Sequence, residues 1–248
     1  MNNSFHDFYQ RYIEVQKSVA WNIETTSRCR LQCPFCQRQR EGGKEKVKAA
    51  GEMSYESFRK IYNFTKSINF CGQISDPIYH KDFLKILEIK KNEYPQHRMQ
   101  IRTNGSGKKI SWWEKAYDLS DKTIQWIFGL DGASQEVANI YRVNTNFDEV
   151  FNAMLLGVKK SAIIKWQYIL FKHNEHELEL AKKLCEENGI ILNVLYSNRW
   201  PKIEVKKTGI KKSTFQKYIP QTKITETLFE NTEKNYLQQV IRRFDKDE

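Results

Sequence analysis

The sequence predicts an α/β fold in which helices cover a parallel sheet, and two observations lead to this prediction. Short apolar segments alternate with longer segments whose apolar residues recur at helical spacing. The alternation repeats about six times between residues 19 and 196. Parallel strands joined by right-handed crossovers either close into a barrel or stay open, and the pattern by itself leaves both arrangements possible.

Each element has a local signal. The predicted strands are Val19–Thr25, Ile68–Cys71, Met99–Thr103, Thr123–Asp131, Ile163–Phe171 and Ile190–Tyr196. The predicted helices begin at Tyr55 and then cover His80–Tyr94, Ser111–Leu119, Phe147–Lys160 and Glu175–Asn188. Ser54 is a candidate N-cap for the first helix, Pro95 follows the second, and Gly189 is the expected stop of the last.

The chain divides into two predicted regions. Residues 1–200 contain every strand–helix unit, and a chain of 248 residues can form one sizeable core. Residues 201–248 are predicted to be a basic, helical C-terminal extension. Lysines are frequent from Lys202 to Lys217, and apolar residues recur at helical spacing from Thr225 to Phe244. We expect the extension to pack across the side or mouth of the main domain; a disordered tail is the alternative.

Three cysteines in the segment TTSRCRLQCPFCQRQ carry the strongest chemical signal. Cys29, Cys33 and Cys36 fall within eight positions, directly after the first predicted strand. Three thiolates are one ligand short of the usual complement for a structural zinc or an iron–sulfur cluster. A metal centre here would keep one position open, which is typical of reactive centres. A structural zinc is the alternative, with Cys71, Cys185 or a distant histidine as its fourth ligand.

Composition indicates a globular protein of a reducing compartment. Five cysteines is an odd count and nothing resembles a signal peptide, which argues against a disulfide framework. No apolar run approaches the length of a membrane span. We therefore expect a cytoplasmic protein without a membrane partner.

The formal net charge of +11 is larger than solubility requires. Near the cysteines the basic residues are Arg28, Arg30, Arg38, Arg40, Lys44, Lys46 and Lys48. Clustered positive charge attracts anionic ligands and nucleic acids. Two interpretations stay open: an anionic or phosphate-bearing substrate, and a solvated lysine-rich surface.

The spacing C-x-x-x-C-x-x-C after a strand resembles the signature of the radical S-adenosylmethionine (SAM) enzymes. The resemblance implies that the three cysteines hold a [4Fe-4S] cluster whose fourth iron is chelated by SAM. It implies reductive cleavage of SAM to a 5′-deoxyadenosyl radical that removes a hydrogen atom from a substrate, with an external electron donor such as flavodoxin or ferredoxin. Phe35 matches the aromatic residue that the family often packs near the adenine. The implied fold is a partial (β/α)6 TIM-like barrel, in agreement with the six predicted units.

Polar residues after the second strand match a further motif of that family. The segment CGQISDPIYH resembles the family's Gly-Gly-Glu-Pro segment, which binds the SAM amino group. An ammonium group needs acceptors, so Gln73, Ser75 and Asp76 are candidate cofactor contacts. Ser75 departs from the usual glycine. Without its context, Asp-Pro is only a turn signal.

The ends of the later strands supply the remaining candidate contacts for SAM, which are Thr103, Asn104, Asp131, Arg142 and Gln167. In the resembling sequences the residue at the position of Asp131 lies near the ribose, and the arginine can pair with the SAM carboxylate. Gln167 is expected to contact SAM or the substrate. The alternatives are an ordinary Asn-Gly turn after the third strand and surface positions for Asp131 and Arg142.

Segments TNGS, FGLDG and WQYILFKHNEH resemble the SPASM branch of the family, whose members usually carry cysteine-rich C-terminal clusters. No cysteine follows Cys185, so we expect no auxiliary cluster of that kind. Two other classes are considered. Positive charge and Trp112, Trp113 and Trp126 would suit a zinc-stabilised nucleic-acid-binding module, although the simpler interpretation places these tryptophans in the core or on a helix face. An iron–sulfur electron carrier would need four protein ligands and no SAM pocket.

Overall fold

In the computed structural model of the protein, the residues described are 3–39, 42, 43, 45, 47 and 51–196. The strands are β1 (Trp21–Ile23), β2 (Ser67–Phe70), β3 (Arg98–Thr103), β4 (Ile124–Gly129), β5 (Ile163–Leu170) and β6 (Ile191–Tyr196). The α-helices of this part of the chain are α1 (Asn3–Ser18), α2 (Tyr55–Phe64), α3 (Phe83–Glu93), α4 (Ile110–Asp118), α5 (Gln135–Tyr141), α6 (Phe147–Lys159) and α7 (Leu178–Asn188).

The strands form one parallel sheet whose spatial order follows the sequence from β1 to β6. Between successive strands the chain passes through helices, as the alternation predicts. Within the described residues β1 and β6 do not pair with each other, so the sheet is an open, partial barrel. The predicted α/β fold and partial TIM-like barrel are confirmed.

Local signals explain the ends of several helices. The Ser54 hydroxyl accepts the N–H of Ser57 at 3.1 Å, so the predicted N-cap of α2 is confirmed. Gly189 has a left-handed conformation with φ of +66°, and it ends α7 as predicted.

Alternation along the strands separates an apolar face from a polar one. In β5, Ile164, Trp166 and Tyr168 are buried in the core against the helices. Lys165 and Gln167 lie between them in sequence and therefore face the opposite, inner side of the sheet. The inner face of the sheet thus carries polar side chains that can bind a polar ligand.

The tryptophans belong to the apolar face. Trp113 and Trp126 are 0% exposed, so neither can stack on nucleic-acid bases. Trp112 packs against the same core. The simpler interpretation, that these tryptophans are core or helix-face residues, is confirmed, and the aromatic argument for a nucleic-acid-binding module fails.

The structure adds elements that the sequence reasoning missed. Helices α1 and α5 were not predicted, although Ser134 caps α5 by accepting the N–H of Val137 at 3.3 Å. The helix expected from His80 begins at Phe83, after a short 3-10 turn. The helix expected from Glu175 also starts later, because a 3-10 turn precedes α7.

Some predictions fall on other parts of the chain. The division at residue 200 is not tested, because residues 201–248 lie outside the described residues, as do Arg40, Lys44, Lys46 and Lys48. Among the described residues, no helix combines the length and the apolar character needed to cross a bilayer.

Candidate active site

A cleft lies at the carboxyl edge of the sheet, between the segments that follow β1 to β4 and the inner face of β3 to β5. In parallel α/β folds, strands end at this edge and binding groups gather there. Nine of the predicted site residues line the cleft, and they are Cys29, Cys33, Cys36, Ser75, Asp76, Thr103, Asn104, Arg142 and Gln167. The fold therefore brings together side chains from the ends of several strands, as the sequence reasoning expected.

The three thiols of the cysteine loop (residues 29–36) share a mostly apolar environment. Cys33 is buried with Leu31 and Phe35, and the other two cysteines pack against the same cluster. Burial raises the pKa of Cys29 to about 12. Burial also raises the pKa of Cys33, and attraction to Arg142 partly offsets this increase. Loss of these protons therefore needs a compensating cation in the cleft, and a bound metal would take the place of the proton.

Glu24, directly after β1, holds the loop of residues 71–75, and sequence reasoning missed it. Its Oε1 accepts the backbone N–H groups of Gln73 and Ile74, the latter at 3.3 Å. Its Oε2 accepts the hydroxyl of Ser75. Ser75, which replaces the usual glycine, therefore has a structural role, because its hydroxyl donates to the Glu24 carboxylate. The signal that could have identified Glu24 was its position, since it is a carboxylate at the end of the first strand and parallel strands bring their ends together.

Asp76 joins the loop after β2 to the end of β3. Its Oδ2 accepts the Thr103 hydroxyl at 3.0 Å, the backbone N–H of Asn104 at 2.6 Å and the side-chain amide of Asn104. Its Oδ1 accepts the N–H of Ile78 at 3.2 Å. Burial raises the pKa of Asp76 to about 6, although these hydrogen bonds favour the charged form. Both oxygens thus serve to fix the backbone of the cleft.

Asn104 connects this network to the cysteine loop. Its side-chain amide nitrogen lies 3.6 Å from the Cys29 sulfur, and its Oδ1 accepts the N–H of Ser106 at 3.0 Å. Thr103 makes a similar local bond, because its hydroxyl accepts the N–H of Gly105 at 3.0 Å. The Thr-Asn-Gly-Ser segment is therefore both a turn, as the simpler interpretation held, and part of the cleft.

Asp131 and Arg142 form a buried ion pair. The Arg142 Nε donates to Oδ2 of Asp131 at 2.6 Å, and the backbone N–H of Ile169 donates to Oδ1 at 2.8 Å. The Asp131 side chain is 0% exposed, whereas that of Arg142 is 17% exposed and lines the cleft. Burial raises the pKa of Asp131 and opposes the charge of Arg142, but attraction to Asp131 and Cys33 raises the pKa of the arginine.

Two glycines of the FGLDG segment make room for this pair. A Cβ on Gly129 would lie 2.9 Å from Nη2 of Arg142, so the guanidinium packs directly against the strand. A Cβ on Gly132 would lie 2.3 Å from the backbone nitrogen of Ala138, so α5 can approach only a glycine. The segment is therefore specified by close packing around the arginine.

Three predicted contacts lie outside the lining of the cleft. Phe35 is 4% exposed and packs against Tyr141, with the two ring centroids 6.2 Å apart. The Gln73 side chain is exposed, although the backbone carbonyl of this residue accepts from the Cys36 thiol at 3.8 Å. Asp131 is the third predicted contact outside the lining, and its side chain is buried beneath Arg142.

The basic residues near the cysteines are partly structural. Arg38 lines the cleft, but its Nη1 donates to the backbone carbonyl oxygens of Ser27 at 2.5 Å and Ile74 at 2.6 Å. Arg28 is 3.3 Å from the carboxylate of Glu52. These two arginines therefore hold the cysteine loop to its neighbours.

The pattern of the Radical SAM superfamily matches residues 23–185, which is more than half of the 248 residues. The chain belongs to the Radical SAM superfamily. The match contains the cysteine loop and the cleft residues described above. Radical SAM proteins use a [4Fe-4S] cluster and SAM, so the prediction of this family and of its cofactors is confirmed. No curated protein matches the sequence.

Solved structures of other proteins share the fold of this chain. SuiB of Streptococcus suis bound to precursor peptide SuiA has a TM-score of 0.60 at 15% identity, over 86% of this chain and 48% of that one. SuiB bound to S-adenosylmethionine has a TM-score of 0.59 at 14% identity, over 94% and 51%. Native anSMEcpe with bound AdoMet and Cp18Cys peptide has a TM-score of 0.52 at 17% identity, over 72% and 50%. This radical SAM chain therefore spans about half the length of the solved proteins.

The donor set fits an iron–sulfur cluster. Thiolates are the ligands that hold such clusters, and three thiols line one cleft. Within the described part of the chain, no three His, Cys, Asp or Glu side chains converge on a point where one ion could bind. A [4Fe-4S] cluster does not require three side chains to meet at one ion, because each cysteine binds a different iron atom. Of the other two cysteines, Cys71 lines the cleft and Cys185 is buried in the core.

Proposed function

We propose that this protein is a radical SAM enzyme that acts on an anionic or phosphate-bearing substrate. The observation that carries the proposal is the position of Cys29, Cys33 and Cys36 in one cleft with Arg142, in a chain of the Radical SAM superfamily. When bound, the cluster and SAM supply a 5′-deoxyadenosyl radical that removes a hydrogen atom from the substrate. The three cysteines would hold the cluster and leave one iron for SAM.

Arg142 is proposed to bind the SAM carboxylate. Its Nε donates to Asp131 and the guanidinium also bonds to the Cys33 thiol, and a guanidinium has five N–H donors, so further donors are left for a second carboxylate in the cleft. Asp131 is then a positioning residue for the arginine, since its carboxylate is fully buried. The contact between Asp131 and the ribose stays a prediction, as does the packing of Phe35 near the adenine.

The SAM amino group is proposed to meet the loop after β2. The Gln73 carbonyl accepts from the Cys36 thiol at 3.8 Å. A cysteine that binds iron has lost its proton, so this oxygen becomes free to accept from an ammonium group. Glu24 and Ser75 would hold the carbonyl in place, while Asp76 fixes the backbone behind it. The direct contact of Asp76 with SAM remains a prediction.

The substrate is proposed from charge. Three arginines and one aspartate line the cleft, namely Arg38, Arg102, Arg142 and Asp76. An excess of cationic groups in a concave site favours anionic ligands. SuiB is solved with a precursor peptide and anSMEcpe with a Cp18Cys peptide, so peptides that carry an acidic or phosphorylated group are included among the candidates. An external one-electron donor, such as flavodoxin or ferredoxin, completes the proposal.

The test is reductive cleavage of SAM. The protein is reconstituted with iron and sulfide without oxygen, treated with dithionite and SAM, and assayed for 5′-deoxyadenosine. We expect the product from wild type and from Cys185→Ala, which removes a thiol outside the cleft, and not from Cys33→Ala. A wild-type protein with a full complement of iron and no 5′-deoxyadenosine would contradict the proposal.

The same preparation separates the other classes. Zinc in place of iron and sulfide after anaerobic purification would favour a zinc-stabilised binding module. Reversible reduction of the cluster without cleavage of SAM would favour an electron carrier.

A further inference from the structure

Arg102 projects from β3 onto the inner face of the sheet and lines the cleft with the cysteine loop. Its Nη1 donates to Oε1 of Gln167 at 3.0 Å. The side chain is half-buried, and burial lowers its pKa. A partly desolvated guanidinium needs acceptors, and a neutral amide satisfies only part of its donor set.

Each of the other cleft arginines has either more hydrogen-bond partners than Arg102 or a charged one. Arg38 is held by two backbone carbonyl oxygens, and Arg142 by the carboxylate of Asp131. Among the described residues, Arg102 forms no ion pair. The nearby carboxylates of Glu24 and Asp76 already accept hydrogen bonds from the loops around the cleft.

A second cation stands in the same row of the inner face. Arg102 pairs in register with Ile127, and Ile127 pairs with Lys165 on the next strand. Side chains in one row of a parallel sheet point to the same face, and the two outer Cα atoms are roughly 10 Å apart, which is two strand spacings. Lys165 is half-buried and, within the described residues, also has no ion pair. Two long cationic side chains therefore flank Ile127 on the floor beside the cleft.

We propose that Arg102, with Gln167 and Lys165, binds an oxyanion of the substrate, either a carboxylate or a phosphate. The planar guanidinium suits bidentate binding of either group. The ammonium group of Lys165 adds a second positive charge from the neighbouring part of the sheet. Assigning the anion to the substrate rests on the proposed radical SAM function, whereas the anion site itself does not.

The test measures anion binding to the reconstituted, SAM-loaded protein by calorimetry. Inorganic phosphate and acetate are the two probes, and a preference for one shows which group the site accepts. We expect a single site in wild type, with affinity at least tenfold lower in Arg102→Gln and partly restored in Arg102→Lys. Arg59→Gln is the matched control, because Arg59 pairs with Glu93 on the outer helices.

A second variant does not depend on removing the arginine. In Gln167→Glu a carboxylate would sit 3.0 Å from Arg102 and compete with added anions. We expect this variant to keep its fold and to lose at least tenfold in affinity for the preferred probe.

Three outcomes would overturn the proposal. They are no binding of either anion to wild type, unchanged binding in both Arg102→Gln and Gln167→Glu, and a loss of SAM affinity in Arg102→Gln as large as its loss of anion affinity. The last outcome would assign the arginine to SAM. Formation of 5′-deoxyadenosine is scored separately, so a wild-type protein that binds anions without cleaving SAM contradicts the proposed function and leaves the anion site standing.

Discussion

The buried pair of Asp131 and Arg142 gives a prediction whose size follows from the structure. In Asp131→Asn the side chain keeps its shape but loses its charge and one of its two acceptor oxygens. The amide nitrogen would face either the Nε of Arg142 or the N–H of Ile169, both of which are donors. Removing one partner of a buried ion pair costs about 3 to 5 kcal/mol, because the other charge stays desolvated.

That loss is a large share of the total stability of a typical domain, which is roughly 5 to 15 kcal/mol. For a chain of this size it corresponds to a fall in melting temperature of roughly 6 to 20 °C. The assay is thermal and urea unfolding of the cluster-free protein.

Asp118→Asn is the matched control. Its carboxylate pairs with Lys160 at 2.7 Å, but the side chains are 58% and 37% exposed. An exposed pair contributes about 0 to 1 kcal/mol. If Asp131→Asn unfolds within about 1 kcal/mol of wild type, or no earlier than the control, then the pair does not organise this side of the cleft and the reasoning fails.

The remaining predictions concern the loop after β2, the fourth cleft thiol and acid stability. Glu24→Gln should weaken SAM binding about tenfold or more, because hydrogen bonds to a charged group contribute roughly 1.5 to 3 kcal/mol each; equilibrium binding of SAM measures this. Cys71→Ser should keep the iron and sulfide content of wild type, whereas Cys33→Ser should lose it, as measured by metal analysis. Burial lowers the pKa of His173 to about 4. The folded chain then binds this proton less tightly than the unfolded chain, so the free energy of unfolding should fall as the pH drops from above 6.5 towards 4. His173→Asn should show a weaker fall, measured by urea unfolding across that range.

Each of these has a contrary result. Unchanged SAM affinity in Glu24→Gln would show that the loop does not need the carboxylate. Loss of iron from Cys71→Ser would make Cys71 a cluster ligand and close the open position. An identical pH dependence in wild type and His173→Asn would mean that this imidazole is already solvated in the folded protein.

The strands and most helices were predictable because their burial follows simple periodicities. β5 shows this well, since its alternating residues are buried against the helices or face inward, as the sequence pattern indicates. Helix α5 was missed because it has only seven residues, a length too short for a clear helical periodicity, although Ser134 is an ordinary N-cap. Helix α3 begins later than predicted because the 3-10 turn Pro77–Tyr79, which the Asp76 side chain caps, occupies the positions before it.

In the candidate site, residue types were predictable and their partners were not. Arg142 lines the cleft as expected, but the sequence did not reveal that the Asp131 carboxylate would form an ion pair with it. The contact expected between Asp76 and SAM stays a prediction, and the sequence did not reveal that the Asp76 oxygens also accept from Thr103, Asn104 and Ile78. Pairings between strand ends depend on register and on loop shape, which a single sequence does not encode in any short pattern.

Electron–nuclear double resonance on the reduced, reconstituted protein examines the open iron position directly. SAM labelled with ¹⁵N in its amino group and ¹⁷O in its carboxylate is added, and hyperfine coupling to the cluster is recorded. We predict coupling from both labels in wild type and in Cys71→Ser. A cluster that shows no coupling to either label, with a fourth protein side chain on its last iron, would contradict the function proposed for this protein.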